Sequence, residues 1–133
     1  MRIVLAGGLI YVALLAALLL APMKQTGPRP GERVFLMSGH VTLSRRFVRD
    51  GTLNVLAFVP VGFLFAAALR TRGAPRLGRA AAVVVGAAAF SLTAESAQYL
   101  LPSRYSSLLD VAWNTTGAAL GILLDLAASA RDG

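Results

Sequence analysis

The sequence predicts an all-α integral membrane protein, a four-transmembrane-helix bundle with a surface amphipathic segment between helices 1 and 2. Composition, four long apolar stretches and the placement of charges between them predict this fold. The 133-residue chain is 56% hydrophobic and 14% charged, with a mean hydropathy of +0.68. Soluble globular domains carry about 25% charged residues. A single membrane domain, residues 1–133, is expected at this length.

Four stretches approach or exceed the roughly 20 apolar residues that cross about 30 Å of hydrocarbon. They are residues 3–21, 53–69, 80–101 and 111–128. We interpret the first as a retained helix and not as a secretory signal peptide. Its apolar part is longer than a usual h-region, and Pro22 follows its best small-residue end.

The long connection between the first two spans contains the predicted amphipathic segment. Residues 34–48 mix Phe, Leu, Met and Val with Arg45 and Arg46, a composition typical of a segment that lies on the membrane surface. A loop without regular structure is the alternative. His40 stands here without a second His, a Cys or a nearby carboxylate, so we expect no metal and no other cofactor. The chain has no Cys, which excludes disulfides.

The basic residues lie between the apolar spans and predict partners and orientation. The net charge of +7 is better explained by anionic lipid headgroups than by nucleic acid. An even number of spans places both termini on one side. That side holds six basic residues and the other side seven, so the count alone does not decide the orientation. The loop 70–79 carries four Arg in ten residues, and this density favours a cytoplasmic loop.

Polar side chains interrupt the apolar spans near the opposite side. Carboxylates inside a membrane are costly and are functional candidates by default, which singles out Glu95. At 1.5 Å per residue, Gln98 and Glu95 lie about 6 and 10 Å inside the third span. Asn114 lies about 6 Å below Asp110, and Asn54 about 5 Å below Gly51 on the second helix. Three helices thus carry polar groups to a similar depth.

Helical spacing predicts that these groups converge. Ser91, Glu95 and Gln98 share one face, as do Asp110, Asn114, Gly117 and Gly121. The two glycines form a G-x-x-x-G pair, which permits close helix approach and offers a surface for an oligomer. Arg104, in the connection before the fourth span, is expected to reach Glu95 or Asp110. The predicted functional cluster therefore consists of Asn54, Glu95, Gln98, Arg104, Asp110 and Asn114.

Purely structural roles remain open for the same residues. Asn and Gln side chains join membrane helices by hydrogen bonds, and Asp110 is suited to cap the fourth helix. At the other side of the membrane, Asp125 is expected to pair with Arg70, Arg72 or Arg2.

Two blocks of residues occur in a defined order along the last three spans. The first contains Asn54, Phe58, Pro60 and Gly62, and the second contains Ser91, Glu95, Gln98, Arg104, Asp110, Asn114 and Gly117. Over residues 49–124 they resemble the N-x-x-x-F-x-P-x-G and S-x-x-x-E-x-x-Q…R…D-x-x-x-N-x-x-G blocks of the VanZ-like family. The resemblance implies a multi-pass bacterial membrane protein with both termini in the cytoplasm. The family's named member is associated with resistance to the glycopeptide teicoplanin.

Two functions of different classes fit these residues. The first is a non-enzymatic membrane protein that binds a lipid, a lipid-linked molecule or a glycopeptide at the outer leaflet. Its cluster would bind hydroxyls or amides, and Arg104 would meet phosphate or carboxylate. The second is a membrane-embedded enzyme acting on a polyprenyl- or phospholipid-type substrate, with Glu95 or Asp110 as general acid or base. The sequence favours the first, because no Ser/His pair, Cys or metal-ligand set accompanies the acids.

Overall fold

The computed structural model describes residues 2–21, 45–101 and 106–131, and in these ranges all regular structure is helical. The four helices are α1 (Arg2–Leu20), α2 (Arg45–Arg70), α3 (Arg76–Tyr99) and α4 (Leu108–Ser129). Each is long and apolar enough to cross a membrane. The predicted all-α, four-helix membrane fold is therefore confirmed.

The helices extend beyond the predicted spans at several ends. The second helix begins at Arg45, eight residues before the predicted span, so the last residues of the predicted amphipathic segment form its first turn. Residues 34–44 lie outside the described ranges. The fourth helix begins at Leu108, before the predicted start at residue 111. Apolar content marks only the part of a helix that hydrocarbon covers, whereas its polar turns outside that layer carry no hydropathy signal.

The two ends of the bundle are defined by the helix termini that lie there. Leu5 of α1 and Arg72 line the same cavity, and Arg70 contacts Asp125 near the end of α4. The beginning of α1, the end of α4 and the connection between α2 and α3 therefore lie together, at what we call the loop end. The opposite end, where α2 and α4 begin and α1 and α3 finish, is called the polar end.

The most extensive contact in the bundle joins α2 and α4, which run parallel. A Cβ atom at Gly117 would overlap the carbonyl oxygen of Val55, and one at Gly121 would overlap that of Val59. Conversely, a Cβ at Gly62 of α2 would overlap the carbonyl of Ala118 of α4. The predicted G-x-x-x-G approach thus takes place within one chain. An oligomer through these glycines stays a prediction.

All four helices contribute to the apolar core. Leu15 of α1, Phe58 and Val61 of α2, Ala87 of α3 and Ala118 of α4 form one buried cluster. The second helix continues through Pro60, which lacks the amide hydrogen that would bond to the carbonyl of residue 56. Tyr11 Oη donates to the neighbouring carbonyl of Ala57 at 2.9 Å, which joins α1 to this weakened turn.

The first prediction concerns the glycine contact. Gly121→Ala places a Cβ against the backbone of α2 and should lower the free energy of unfolding by about 1–3 kcal/mol, as overpacking does. The control is Gly86→Ala, where nothing lies within 4 Å of the new atom and the better helix propensity of Ala should leave stability equal or higher. Denaturant titration in detergent measures both. Equal effects of the two substitutions would contradict the close contact.

Candidate functional site

The start of α4 organises the polar end. Ser107 is the N-cap, and its Oγ accepts a hydrogen bond from the backbone N–H of Leu109 at 3.2 Å. The suggestion that Asp110 caps this helix is wrong, because the helix begins three residues earlier and places Asp110 in its first turn. The acidic group is still favourable there, since the N-terminal end of a helix attracts negative charge.

Glu95 contributes to the same cap from the neighbouring helix. Its Oε2 accepts the backbone N–H of Ser107 at 2.8 Å, and the residue is 2% exposed. In a capping box, an acid three residues after the N-cap accepts that amide. Here the acid at that position is Asp110, which bonds elsewhere, and Glu95 of α3 takes its place. This contact fixes the end of α3 against the start of α4.

Asp110 instead joins α4 to α2. Asn54 Nδ2 donates to Asp110 Oδ1 at 2.9 Å, so the two residues that the sequence placed at similar depth are in contact. The two residues are 56 positions apart in the chain, so the bond links two helices that are distant in sequence. This bond uses one donor of the Asn54 amide. The carboxylate of Asp110 has further acceptor positions.

One turn deeper, Asn114 of α4 faces Ser91 of α3. Asn114 Nδ2 donates to Ser91 Oγ at 2.7 Å, and both side chains are buried. The second polar atom of the amide, Oδ1, is buried and has no hydrogen-bond partner in the part of the chain that the structure describes. The same holds for Ser106 Oγ, just before the N-cap. Two buried polar atoms near the start of α4 are therefore unsatisfied within the described part of the chain.

Gln98 has a different role from the other cluster members. Its Nε2 donates to the carbonyl oxygen of Leu19 at 3.0 Å. The last four carbonyls of a helix lack partners within that helix, and Gln98 satisfies one of them for α1. Ser91, Glu95 and Gln98 all lie on the buried face of α3, in agreement with their helical spacing.

The structure thus brings five of the six predicted residues to the polar end, where Gln98 bonds to Leu19 of α1 and the other four residues make three contacts. Asn54 meets Asp110, Glu95 meets the N-cap of α4, and Asn114 meets Ser91. Arg104 lies outside the described residues. Among those that are described, no three His, Cys, Asp or Glu residues come close enough together to hold a metal ion.

A second polar cluster occupies the loop end. Asp125 is fully buried and pairs with Arg70, whose Nε lies 3.0 Å from Oδ1. Arg79 Nη2 lies 3.7 Å from Oδ2, too long for a hydrogen bond, so charge attraction joins them. The expected pairing with Arg70 is confirmed. Arg79 is only 5% exposed. The sequence does not predict it as a partner of Asp125, because the expected loop 70–79 includes it, whereas in the structure it lies in the first turn of α3. Its spacing of four residues from Val83, on the buried face of α3, is the signal that identifies it.

A comparison with protein-family models supports the resemblance found in the sequence. A family model described as VanZ/LLP1 matches residues 8–128, nearly the whole chain. The match includes most of each helix and the residues of both sequence blocks, and it confirms the resemblance found in those blocks. No curated protein and no solved structure matches the chain.

The second prediction tests the loop-end cluster. Asp125→Asn leaves two arginines facing each other without their acid, and breaking a buried pair from one side costs about 3–5 kcal/mol. The control is Asp50→Asn, which removes the exposed partner of Arg49, where the side chains are 67% and 50% exposed. Exposed pairs contribute about 0–1 kcal/mol. Denaturant titration of both variants should therefore separate them clearly. A small effect of Asp125→Asn would contradict a stabilising role of this buried pair.

Proposed function

This chain belongs to the VanZ/LLP1 family, and we propose that it is a non-enzymatic, multi-pass protein of a bacterial cell membrane that binds a polar ligand at the polar end. The ligand is the headgroup region of a lipid or lipid-linked molecule, or a glycopeptide. Through this binding the protein affects the cell envelope or resistance to a glycopeptide such as teicoplanin.

The observation that carries this proposal is the pair of unpartnered atoms beside the start of α4. In hydrocarbon an unsatisfied polar group costs several kcal/mol, yet Asn114 Oδ1 and Ser106 Oγ have no partner among the described residues. Ser106 precedes the N-cap Ser107, and Asn114 lies seven positions beyond that N-cap, about 10 Å along the helix. A ligand that carries hydroxyl or amide donors would satisfy both atoms.

The neighbouring groups support a ligand of mixed chemistry. Asp110 accepts the side-chain amide of Asn54, and the remaining acceptor positions of its carboxylate suit the hydroxyls or amides of a headgroup. We assign Arg104 to the phosphate or carboxylate of the same ligand, because a guanidinium pairs with such groups through two parallel hydrogen bonds.

The enzyme alternative would use the same residues differently. A membrane-embedded enzyme acting on a polyprenyl- or phospholipid-type substrate needs Glu95 or Asp110 to move a proton. Both carboxylates already accept hydrogen bonds from groups that hold the helices together, the amide of Ser107 and the side chain of Asn54. This arrangement favours positioning over proton transfer, so binding without catalysis is the better-supported function.

Glu95→Gln gives the sharpest test of the binding site. Glutamine keeps an oxygen that can accept the amide of Ser107, so a purely structural Glu95 would tolerate the change. We expect the melting temperature to stay near that of the wild type while a co-purifying molecule, detected by native mass spectrometry, is lost. The control is Thr93→Val on the same helix, where the hydroxyl is exposed and bonds only to its own helix at Ala89.

Three outcomes separate the readings of that experiment. Retention of the bound molecule by Glu95→Gln contradicts the proposed site. Loss of the molecule together with loss of teicoplanin tolerance in cells expressing equal amounts of each variant supports it fully. A change in the mass of the bound molecule during incubation, abolished by Glu95→Gln, would replace the binding function with the enzyme alternative.

We further propose that the loop end faces the cytoplasm, with both termini on that side. Six arginines at this end, Arg2, Arg70, Arg72, Arg76, Arg79 and Arg131, are among the described residues, against one buried acid, Asp125. Positively charged short loops are retained in the cytoplasm. Reporter fusions after Arg79 should therefore be active only with a cytoplasmic reporter, and fusions after Ser106 only with an exported one. The reverse pattern would overturn this orientation.

A further inference from the structure

A groove runs along the membrane-facing side of the bundle between α1, α2 and α3. It encloses about 340 Å³, within the range of about 300–1,000 Å³ found for small-ligand sites. Its walls are apolar and include Leu5, Val12, Phe65, Leu69, Gly86 and Phe90. Ala82 and Gly86 are exposed, so the groove is open on the side of α3. None of the five described residues of the polar cluster lines it.

The length and direction of this groove match one leaflet. Its lining on α2 runs from Val61 to Leu69, a rise of about 12 Å, and Arg72 lines it just beyond the end of that helix. Half of the hydrocarbon core is about 15 Å thick. The groove therefore begins at the loop end and finishes near the middle of the bundle, parallel to the helices. An extended acyl chain has this shape and depth.

The charge at the mouth of the groove is positive. Arg72 is the charged residue among its lining side chains, and it is exposed. Both Arg70 and Arg79 are engaged with Asp125, whereas no carboxylate of the described residues forms an ion pair with Arg72 or Arg76. A guanidinium at headgroup level that lacks an acidic partner attracts phosphate.

We propose that this groove binds one acyl chain of an anionic phospholipid from the leaflet at the loop end, with the lipid phosphate held by Arg72. The apolar walls select a hydrocarbon chain, and the charge at the mouth selects an anionic headgroup over a zwitterionic one. The site is separate from the polar end, so it stands whether or not the proposed ligand binds there.

Native mass spectrometry of the delipidated protein, with phosphatidylglycerol or phosphatidylcholine of identical chains added back, tests this site. The wild type should retain one phosphatidylglycerol with about fivefold preference, the effect of one basic side chain at a membrane surface. Arg72→Gln should remove this preference, whereas its control Arg76→Gln, outside the groove, should keep it. Glu95→Gln should bind the added lipid as the wild type does.

Filling the groove tests the acyl-chain part. Gly86→Leu projects a side chain into the open space, since nothing lies within 4 Å of a Cβ there, and should abolish retention of either lipid. Its control is Gly7→Leu, also at an open glycine but outside the groove. Ala82→Leu provides a second filling variant if Gly86→Leu alters the melting temperature. Wild-type lipid retention by a folded filling variant would overturn the proposal, as would equal losses of preference in Arg72→Gln and Arg76→Gln.

Discussion

The backbone contact between α2 and α4 is the constraint on which the rest of the structure depends. Lipid gives membrane helices no hydrophobic reason to associate, so close packing of small residues must supply the attraction. Gly62, Gly117 and Gly121 allow it by leaving room for the carbonyls of the facing helix. Two parallel helices held at this distance also have a fixed register. Asn54 therefore meets Asp110 at one end, and Arg70 meets Asp125 at the other. The two pairs lie about 24 Å apart along α2.

The polar groups at the two ends use different means to reach a stable arrangement inside a membrane. At the polar end, side-chain amides and carboxylates bond to backbone groups that have no partner within their own helix, as Glu95 does for the N–H of Ser107 and Gln98 for the carbonyl of Leu19. At the loop end, a buried acid shared by Arg70 and Arg79 balances charge. Most of these contacts join helices that are distant in sequence. The buried polar atoms without a hydrogen-bond partner among the described residues include Asn114 Oδ1 and Ser106 Oγ, both near the start of α4.

The first helix explains why one side of the bundle remains open. It is the least buried of the four candidate spans, and its polar attachments among the described residues include Tyr11 to Ala57 and Gln98 to Leu19. The first contact lies at the middle of α1 and the second at its terminus in the polar end. Nearer the loop end, small residues such as Gly86 and Ala82 face α1 without filling the space between the helices. A groove of leaflet depth is the consequence of this uneven attachment.

The four helices, the faces that carry the polar residues, the glycine approach and the pairing of Asp125 with an arginine at the loop end are predictable from the sequence, whereas the choice of Arg70 comes from the folded structure. The predictable features follow from local periodicity and from the cost of placing polar groups in hydrocarbon, both of which act within a single helix. Only the tertiary structure decided which groups meet. Ser107 and not Asp110 caps α4, Gln98 serves α1, and Arg79 turns inward to Asp125. Such choices depend on the register and rotation of neighbouring helices, which the packing of side chains and backbones sets and a sequence pattern does not contain.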